Sequence, residues 1–335
     1  MAIISKDVLP ELMSESGLEY ENILDWDRRC KSRSRIVKIC NTVLGAAITI
    51  WRLLRYMRRR RIAYDLFVTD DCLCFLGQLM RVPTLLLLDD DIDVVPENAP
   101  LAYCATGIFA PEVTRLGRFS WKKIPYRGCK EACYLTPSQF QTRSDVLRKY
   151  GIEARRYVFV RLVSLCATHD RGKSGIRDED IDRLVAVVKS HGLRPVLCAE
   201  RVVNERYAKY AFSGDPRDAL EILAQAAAYF GDSQTMTSEA VLLGVPAVRC
   251  NDFVGRISVM EEKETVYGMT YGFLSRDIDK AIAKLDELLS MPNLNETWQE
   301  KRLHLLSSIE DVPGRLFNVI RNREFPVKNG NQRKM

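Results

Sequence analysis

The sequence predicts an α/β fold: two domains, each a parallel sheet flanked by helices, facing one another across a cleft. Three observations predict it. Short, mostly apolar runs such as residues 64–69 (YDLFVT), 84–88 (TLLLL) and 157–163 (YVFVRLV) alternate with helix-forming segments along the chain, as strands buried on both faces alternate with crossover helices. Several runs end in carboxylates or Gly/Asp/Ser turns, where open parallel sheets bind ligands. One stretch, residues 229–250 (YFGDSQTMTSEAVLLGVPAVRC), reads in full as strand, turn, short helix, stop and strand.

The chain opens with a strand at residues 2–5, a helix at 7–16 closed by Gly17, and a lead into Ile23-Leu24. In a doubly wound domain this is a second βα unit, so an opening strand and loop are expected upstream. Residues 28–61, from Arg28 to Arg61, read as a helix with an apolar middle (Val43, Leu44, Ile48, Trp51, Leu54) and basic flanks. A helix at 73–80 stops before Pro83. Residues 106–109 read as a strand end, 122–137 (KKIPYRGCKEACYLTP) as loop and short helix, and 144–150 as a helix stopped by Gly151. A first domain is expected over 1–153 and a second over 154–298. In the second, 178–190, 217–228 and 278–289 read as helices and 195–199 as a strand, with residues 261–267 following the loop after Cys250. Helices at 296–309 and 312–321 follow; residues 299–323 are expected to cross back to the first domain, ahead of a polar, disordered tail at 324–335.

The 335 residues suffice for two buried cores, and 47% hydrophobic with 28% charged residues is ordinary for a soluble protein. The net charge of +6 is local: residues 28–61 carry 12 of the 50 basic residues and none of the 44 acidic ones. Three readings of that segment stand: a packed helix with a solvated basic face, a helix lying on an anionic membrane surface, or a nucleic-acid contact, ranked last for want of interleaved aromatics. Its uncharged run, residues 39–51, spans 13 residues, too few to cross a bilayer. The ten cysteines, with no C-x-x-C pair, argue against zinc ribbons and disulfide frameworks and for a reducing cytosol. The expected location is cytoplasmic, with peripheral contact at the inner face of the membrane.

In residues 229–250, Ser233 or Thr235 can cap the helix, Gly244 suits a left-handed C-terminal cap, and Pro246 forbids continuation. A short polar-headed helix directly after a strand is an anion site, because its free N–H groups and dipole favour a phosphate. Ser233, Thr235, Thr237 and Ser238 add hydroxyl donors. Glu239, four residues after Thr235 on the same face, suits a ribose diol. An ordinary capped helix explains the same letters, and this stretch alone does not separate the two. Residues 164–176 (SLCATHDRGKSGI) read as a ligand loop whose glycines permit close backbone approach.

The series Asp232-Ser233, Glu239-Ala240, Leu243-Gly244-x-Pro246 resembles the donor-site segment of GT-B enzymes. These include the lipid-linked N-acetylglucosaminyl transferase of peptidoglycan synthesis and the non-hydrolysing UDP-N-acetylglucosamine 2-epimerases. The resemblance implies Ser233, Gln234 and Thr235 at the phosphates and Glu239 at the ribose, with Asp232, Met236 and Thr237 expected among the substrate-binding residues. Where that family usually has glycines after the Ser, this chain has Gln234-Thr235, so amide or hydroxyl groups would substitute. Over nearly the whole chain, RLVSLCATHDRGKSG, FGDSQTMTSEAVLLGVPAVR, YGMTYGF and YRGCKEACYL are similar to the domain-of-unknown-function 354 family. That prokaryotic group is assigned to the GT-B superfamily and is often met among polysaccharide genes. Its members open with a strand and a His-Pro-bearing loop, which again implies a missing first unit. The resemblance implies a GT-B-like fold of two Rossmann-like domains and a ligand class, without supplying a reaction.

The expected function is glycosyl transfer from a nucleotide diphospho-sugar, most simply a UDP-sugar, to a polysaccharide or lipid-linked acceptor. Arg161, Ser164, His169, Ser174 and Gly175 would line the donor cleft, His169 also serving as a catalytic candidate. Asp70, Asp71 and Asp89 are candidates for the base by strand-end position. Asp89 to Asp93 offers the D-x-D by which many sugar transferases hold Mn²⁺ or Mg²⁺. Adjacent carboxylates at a strand end more often cap and solvate, so neither metal nor cofactor is expected, and no nucleic acid. A 2-epimerase acting on the same donor and a non-catalytic binding or scaffold protein are the rivals.

Overall fold

The computed structural model describes residues 2–5, 17, 21–25, 35–61, 63–163, 176–201 and 203–326. Strands β1 (Ala2–Ser5) and β2 (Glu21–Asp25) pair in parallel. Helix α1 (Arg35–Arg60) follows and lies against β2 and against α2 (Leu73–Met80). Four further strands, β3 (Phe67–Thr69), β4 (Thr84–Leu87), β5 (Gly107–Pro111) and β6 (Lys123–Tyr126), form an all-parallel sheet in the order β3-β4-β5-β6. Short helices α3 (Ala99–Cys104), α4 (Ala132–Leu135) and α5 (Ser144–Lys149) complete this half.

Five strands build the second sheet: β7 (Tyr157–Leu162), β8 (Arg194–Ala199), β9 (Ala228–Gly231), β10 (Ala247–Cys250) and β11 (Thr270–Phe273). They are parallel in the order β11-β10-β9-β7-β8. The chain therefore winds outward from β7 to β8, then returns to the other side of β7 to lay down β9. That reversal opens a crevice at the carboxyl ends of β7 and β9. Val158, Phe159, Val160 and Leu162 of the central β7 are fully buried, each such side chain contributing about 1.5–3 kcal/mol on burial. The helices are α6 (Asp178–Ser190), α7 (Ala219–Ala224), α8 (Gln234–Leu242), α9 (Ser258–Thr265), α10 (Ile278–Leu289), α11 (Leu294–Ser308) and α12 (Val312–Asn322).

Three elements differ from expectation, each for a local reason. Strand β6 replaces a presumed loop: Pro125 interrupts its sequence pattern, but the strand lies on the sheet edge, where a missing N–H is tolerated. Strand β11, another edge, is partly exposed and carries Gly272, which hid its alternation. Helix α7 ends at Ala224 rather than 228, because Ala228 already belongs to β9 and pairs with Val158.

After α11 the chain touches the first half again. Glu310 accepts the Arg127 N–H at 2.6 Å, α12 packs on α4, and Phe325 lies where a side chain at Gly107 would otherwise go. Among the described residues no helix is long and apolar enough to cross a membrane, and no cysteine is in a disulfide.

Candidate nucleotide site at the sheet crossover

Asp232 sits at the carboxyl ends of the paired strands β7 and β9, where the strand order reverses. Its Oδ1 accepts the Val163 N–H at 2.8 Å, and its main-chain carbonyl accepts from Asn251 at 2.9 Å. Burial pushes its carboxyl up to about 6, against opposing backbone bonds from Val163 and Ile176. Asp232 therefore ties two strand ends together and offers no free carboxylate outward. Gly231 just before it is required: a Cβ there would sit 2.8 Å from the Arg161 carbonyl oxygen.

Ser233 caps α8, its Oγ accepting the Met236 N–H at 3.2 Å. The Ser233 carbonyl takes both the N–H of Thr237, at 3.2 Å, and its hydroxyl, at 2.6 Å. The buried Thr237 hydroxyl is thus committed to its own helix, and the Met236 N–H to the cap. Among the described residues, no acceptor meets the N–H groups of Gln234 and Thr235. Thr235 is exposed and Ser233 and Gln234 half-buried, so the two amides and the proton of the capping hydroxyl remain for a ligand. The opposite end of α8 is closed by α11, Arg302 bonding the Leu242 carbonyl at 2.7 Å and Gln299 that of Gly244 at 3.2 Å. Gly244 takes φ +72° there.

One turn into α8, Glu239 is 8% exposed and accepts the Tyr134 hydroxyl of α4 at 2.9 Å. Burial pushes its carboxyl up to about 7, the nearby Glu131 adding to the rise and the Tyr134 bond opposing it. Ser238 donates to Glu131 at 2.8 Å. Lys130 pairs with Asp89 at 2.6 Å, and although burial disfavours its charge, Asp89 holds its pKa above the ordinary lysine value. Residues 130–134 thus bring Glu131 and Tyr134 to the flank of α8, with Asp89 paired to Lys130 beside them.

The other expected site residues scatter. Asp70 and Asp71 lie past the outer strand β3, and among the described residues no hydrogen bond or ion pair joins either side chain to the second sheet's half. Arg161 bonds Cys198 at 2.8 Å and pairs with Glu200, so its guanidinium turns over β8. Ser164, His169, Ser174 and Gly175 lie outside the described residues. The D-x-D carboxylates diverge: Asp89 goes to Lys130, while the fully buried Asp91 accepts the Ser258 N–H at 2.7 Å and the Arg115 N–H at 2.5 Å. No cluster of three or more His, Cys, Asp or Glu side chains able to hold a metal occurs among the described residues. Reading the sequence did not single out Tyr134, Lys130, Glu131 or Arg249; the first three carry their signal in KEACY, charges embedded in an apolar turn.

No family profile matches the chain, and no curated protein matches it by sequence. Solved structures do. A glycotransferase of kitacinnamycin matches with TM-score 0.61 at 14% identity, over 97% of this chain and 91% of the other. Phytolacca americana UGT2, complexed with UDP-2-fluoro-glucose and pterostilbene, matches with TM-score 0.60 at 12% identity, over 95% and 89%. A putative UDP-N-acetylglucosamine 2-epimerase from Listeria monocytogenes matches with TM-score 0.59 at 11% identity, over 98% and 89%. At such identities the likeness is one of fold: the chain has the GT-B-like architecture of two parallel-sheet, Rossmann-like halves.

Proposed function

We propose that the chain binds a nucleotide diphospho-sugar at the crossover of its second sheet and transfers the sugar to an acceptor hydroxyl. The observation that carries this reading is the pair of N–H groups at Gln234 and Thr235 that meet no acceptor among the described residues, at the head of α8 where the strand order reverses. Those amides and the Ser233 hydroxyl would hold the diphosphate. The dipole of α8 would stabilise the charge that grows on it as the glycosidic bond breaks, a role that asks for no divalent ion. Glu239 would take the ribose diol once Tyr134 releases it. Asp89, paired with Lys130 next to Glu131, is the carboxylate we assign to deprotonating the acceptor.

The GT-B-like neighbours support the ligand class: one is named as a glycotransferase and another holds a UDP-sugar analogue. Likeness to a putative 2-epimerase favours a second reading, inversion at C2 of the same donor: the C2 proton leaves as the C1–O bond to the diphosphate breaks, and proton and diphosphate are both re-added across the resulting double bond. For the acceptor we infer a polysaccharide or lipid-linked glycan, met in the cytoplasm at an anionic membrane surface touched by α1.

Calorimetric titration with UDP tests the reading. Saturable binding is expected, and the absence of both heat and thermal stabilisation overturns it in favour of a scaffold. Proton NMR of UDP-N-acetylglucosamine incubated without acceptor distinguishes the two chemistries, since only an epimerase converts it.

A further inference from the structure

We propose that Arg249 is a positioning residue that turns the side-chain amide of Gln234 so that its NH₂ group faces the diphosphate, making Gln234 a phosphate donor. This rests on the nucleotide reading above and adds to it a residue that supplies what glycines supply elsewhere. Arg249 lies on β10, is fully buried, and donates from Nη1 to Gln234 Oε1 at 2.8 Å. A guanidinium has donors only, so the Gln234 atom facing it must be the carbonyl oxygen. The amide orientation thereby follows from chemistry. The NH₂ end then points away from Arg249, on the first residue of α8, beside the unbonded N–H groups of Gln234 and Thr235.

A second observation concerns the same guanidinium. The Arg249 Nε and Nη2 atoms are buried without hydrogen-bond partners among the described residues; Nη2 is ion-paired with Glu261 and Glu264, each at 3.9 Å, too long for a hydrogen bond. Burial lowers the Arg249 pKa against the pull of those two carboxylates. Beside the α8 N-terminus, this guanidinium adds to the positive potential where an anion would bind. Glycines after the Ser would let backbone approach the diphosphate. This chain carries larger residues there, and the Gln234 amide reaches out in their place.

The test compares UDP and uridine binding, by calorimetry and by saturation-transfer NMR, for the native chain, Gln234→Glu, Gln234→Leu and Arg249→Met. If native protein binds no UDP, the nucleotide reading fails and this inference with it. Given native UDP binding, Gln234→Glu should keep or raise the melting temperature, because its carboxylate satisfies Arg249. Its UDP affinity should fall by about tenfold or more, as expected when a donor to a charged group is replaced by an anion. Gln234→Leu should weaken UDP by a smaller factor, and neither variant should change uridine binding. If Arg249→Met folds, adding Gln234→Leu to it should cost no further UDP affinity. The inference is overturned if both Gln234 variants bind UDP as the native chain does, or if they lose uridine affinity equally. Should Arg249→Met fail to fold, the Gln234 pair decides alone.

Discussion

Glu239 shows how one carboxylate can belong both to folding and to ligand binding. It is buried in α8, bonded to Tyr134, and its pKa is pushed up to about 7. A raised carboxyl pKa gives stability that is complete below the unfolded value and lost as pH rises through the folded one. The Glu239→Gln variant escapes that loss. Relative to native protein it should gain roughly 3 kcal/mol between about pH 4 and about pH 8. Urea titrations across that range measure it, and a flat difference curve refutes the assignment. Binding runs the other way. A ribose diol needs an acceptor, so nucleotide affinity should climb as Glu239 ionises near pH 7, and Glu239→Ala should weaken UDP while leaving the fold intact. Affinity that ignores both pH and the substitution would remove Glu239 from the site. The sequence made Glu239 legible, because its spacing from Thr235 fixes the helix face. It could not reveal Tyr134, whose partner lies 105 residues away.

Helix α8 was the most legible element because each of its boundaries is set by a residue with one physical use. Ser233 accepts the Met236 N–H, Gly244 adopts φ +72°, and Pro246 ends the run. Ser233→Ala should cost about 1 kcal/mol of stability through the lost cap, and should weaken UDP further, since the proposed site uses the same hydroxyl as a donor to the diphosphate. Gly244→Ala should cost about 1–2 kcal/mol for the left-handed backbone, with no change in UDP affinity, because the strain sits at the far end of the helix. Equal losses of affinity in both would mean that the helix responds as a whole. Strand β6, with Pro125, was illegible because propensity describes the interior of a sheet better than its edge. Arg249 was hidden for a different reason: in PAVRC a basic letter reads as surface, and only the fold shows it buried. Helix α1 presents Leu44 (59% exposed) and Trp51 (58%) with basic residues through Arg60. It should sediment with vesicles of anionic lipid, not with neutral ones, and let go as salt rises. Retention by neutral vesicles would point to an apolar docking face instead.

Across the molecule, several contacts join the halves: Lys149 and Tyr150 bond Asp218, Arg143 bonds Glu221, and Glu310 bonds Arg127. Two further sets differ in how a ligand would affect them. Tyr134 to Glu239 and Glu131 to Ser238 lie along α8, where a nucleotide would compete for them. Asp91 lies elsewhere. It anchors the start of α9 through the Ser258 N–H and hydroxyl, while Arg115 bonds Ser258 at 2.6 Å and the Arg256 carbonyl at 2.6 Å. No ligand is needed to satisfy that knot, in which Asp91 and Ser258 are buried and Arg115 is half exposed. A binder could therefore part the contacts along α8 while Asp91 keeps the halves registered. Asp91→Ala removes the acceptor of the Ser258 N–H and hydroxyl and of the Arg115 N–H, a loss of about 1–3 kcal/mol for buried donors left unpaired, while the half-exposed Arg115 guanidinium keeps its bond to the Arg256 carbonyl. The expected signature is separation: one calorimetric unfolding transition becomes two, and the radius of gyration by solution scattering increases. Tyr134→Phe should do neither, since its ring stays and only a replaceable bond is lost. If Tyr134→Phe splits the transition and Asp91→Ala does not, the roles of the two contacts are reversed, and the site itself holds the halves together.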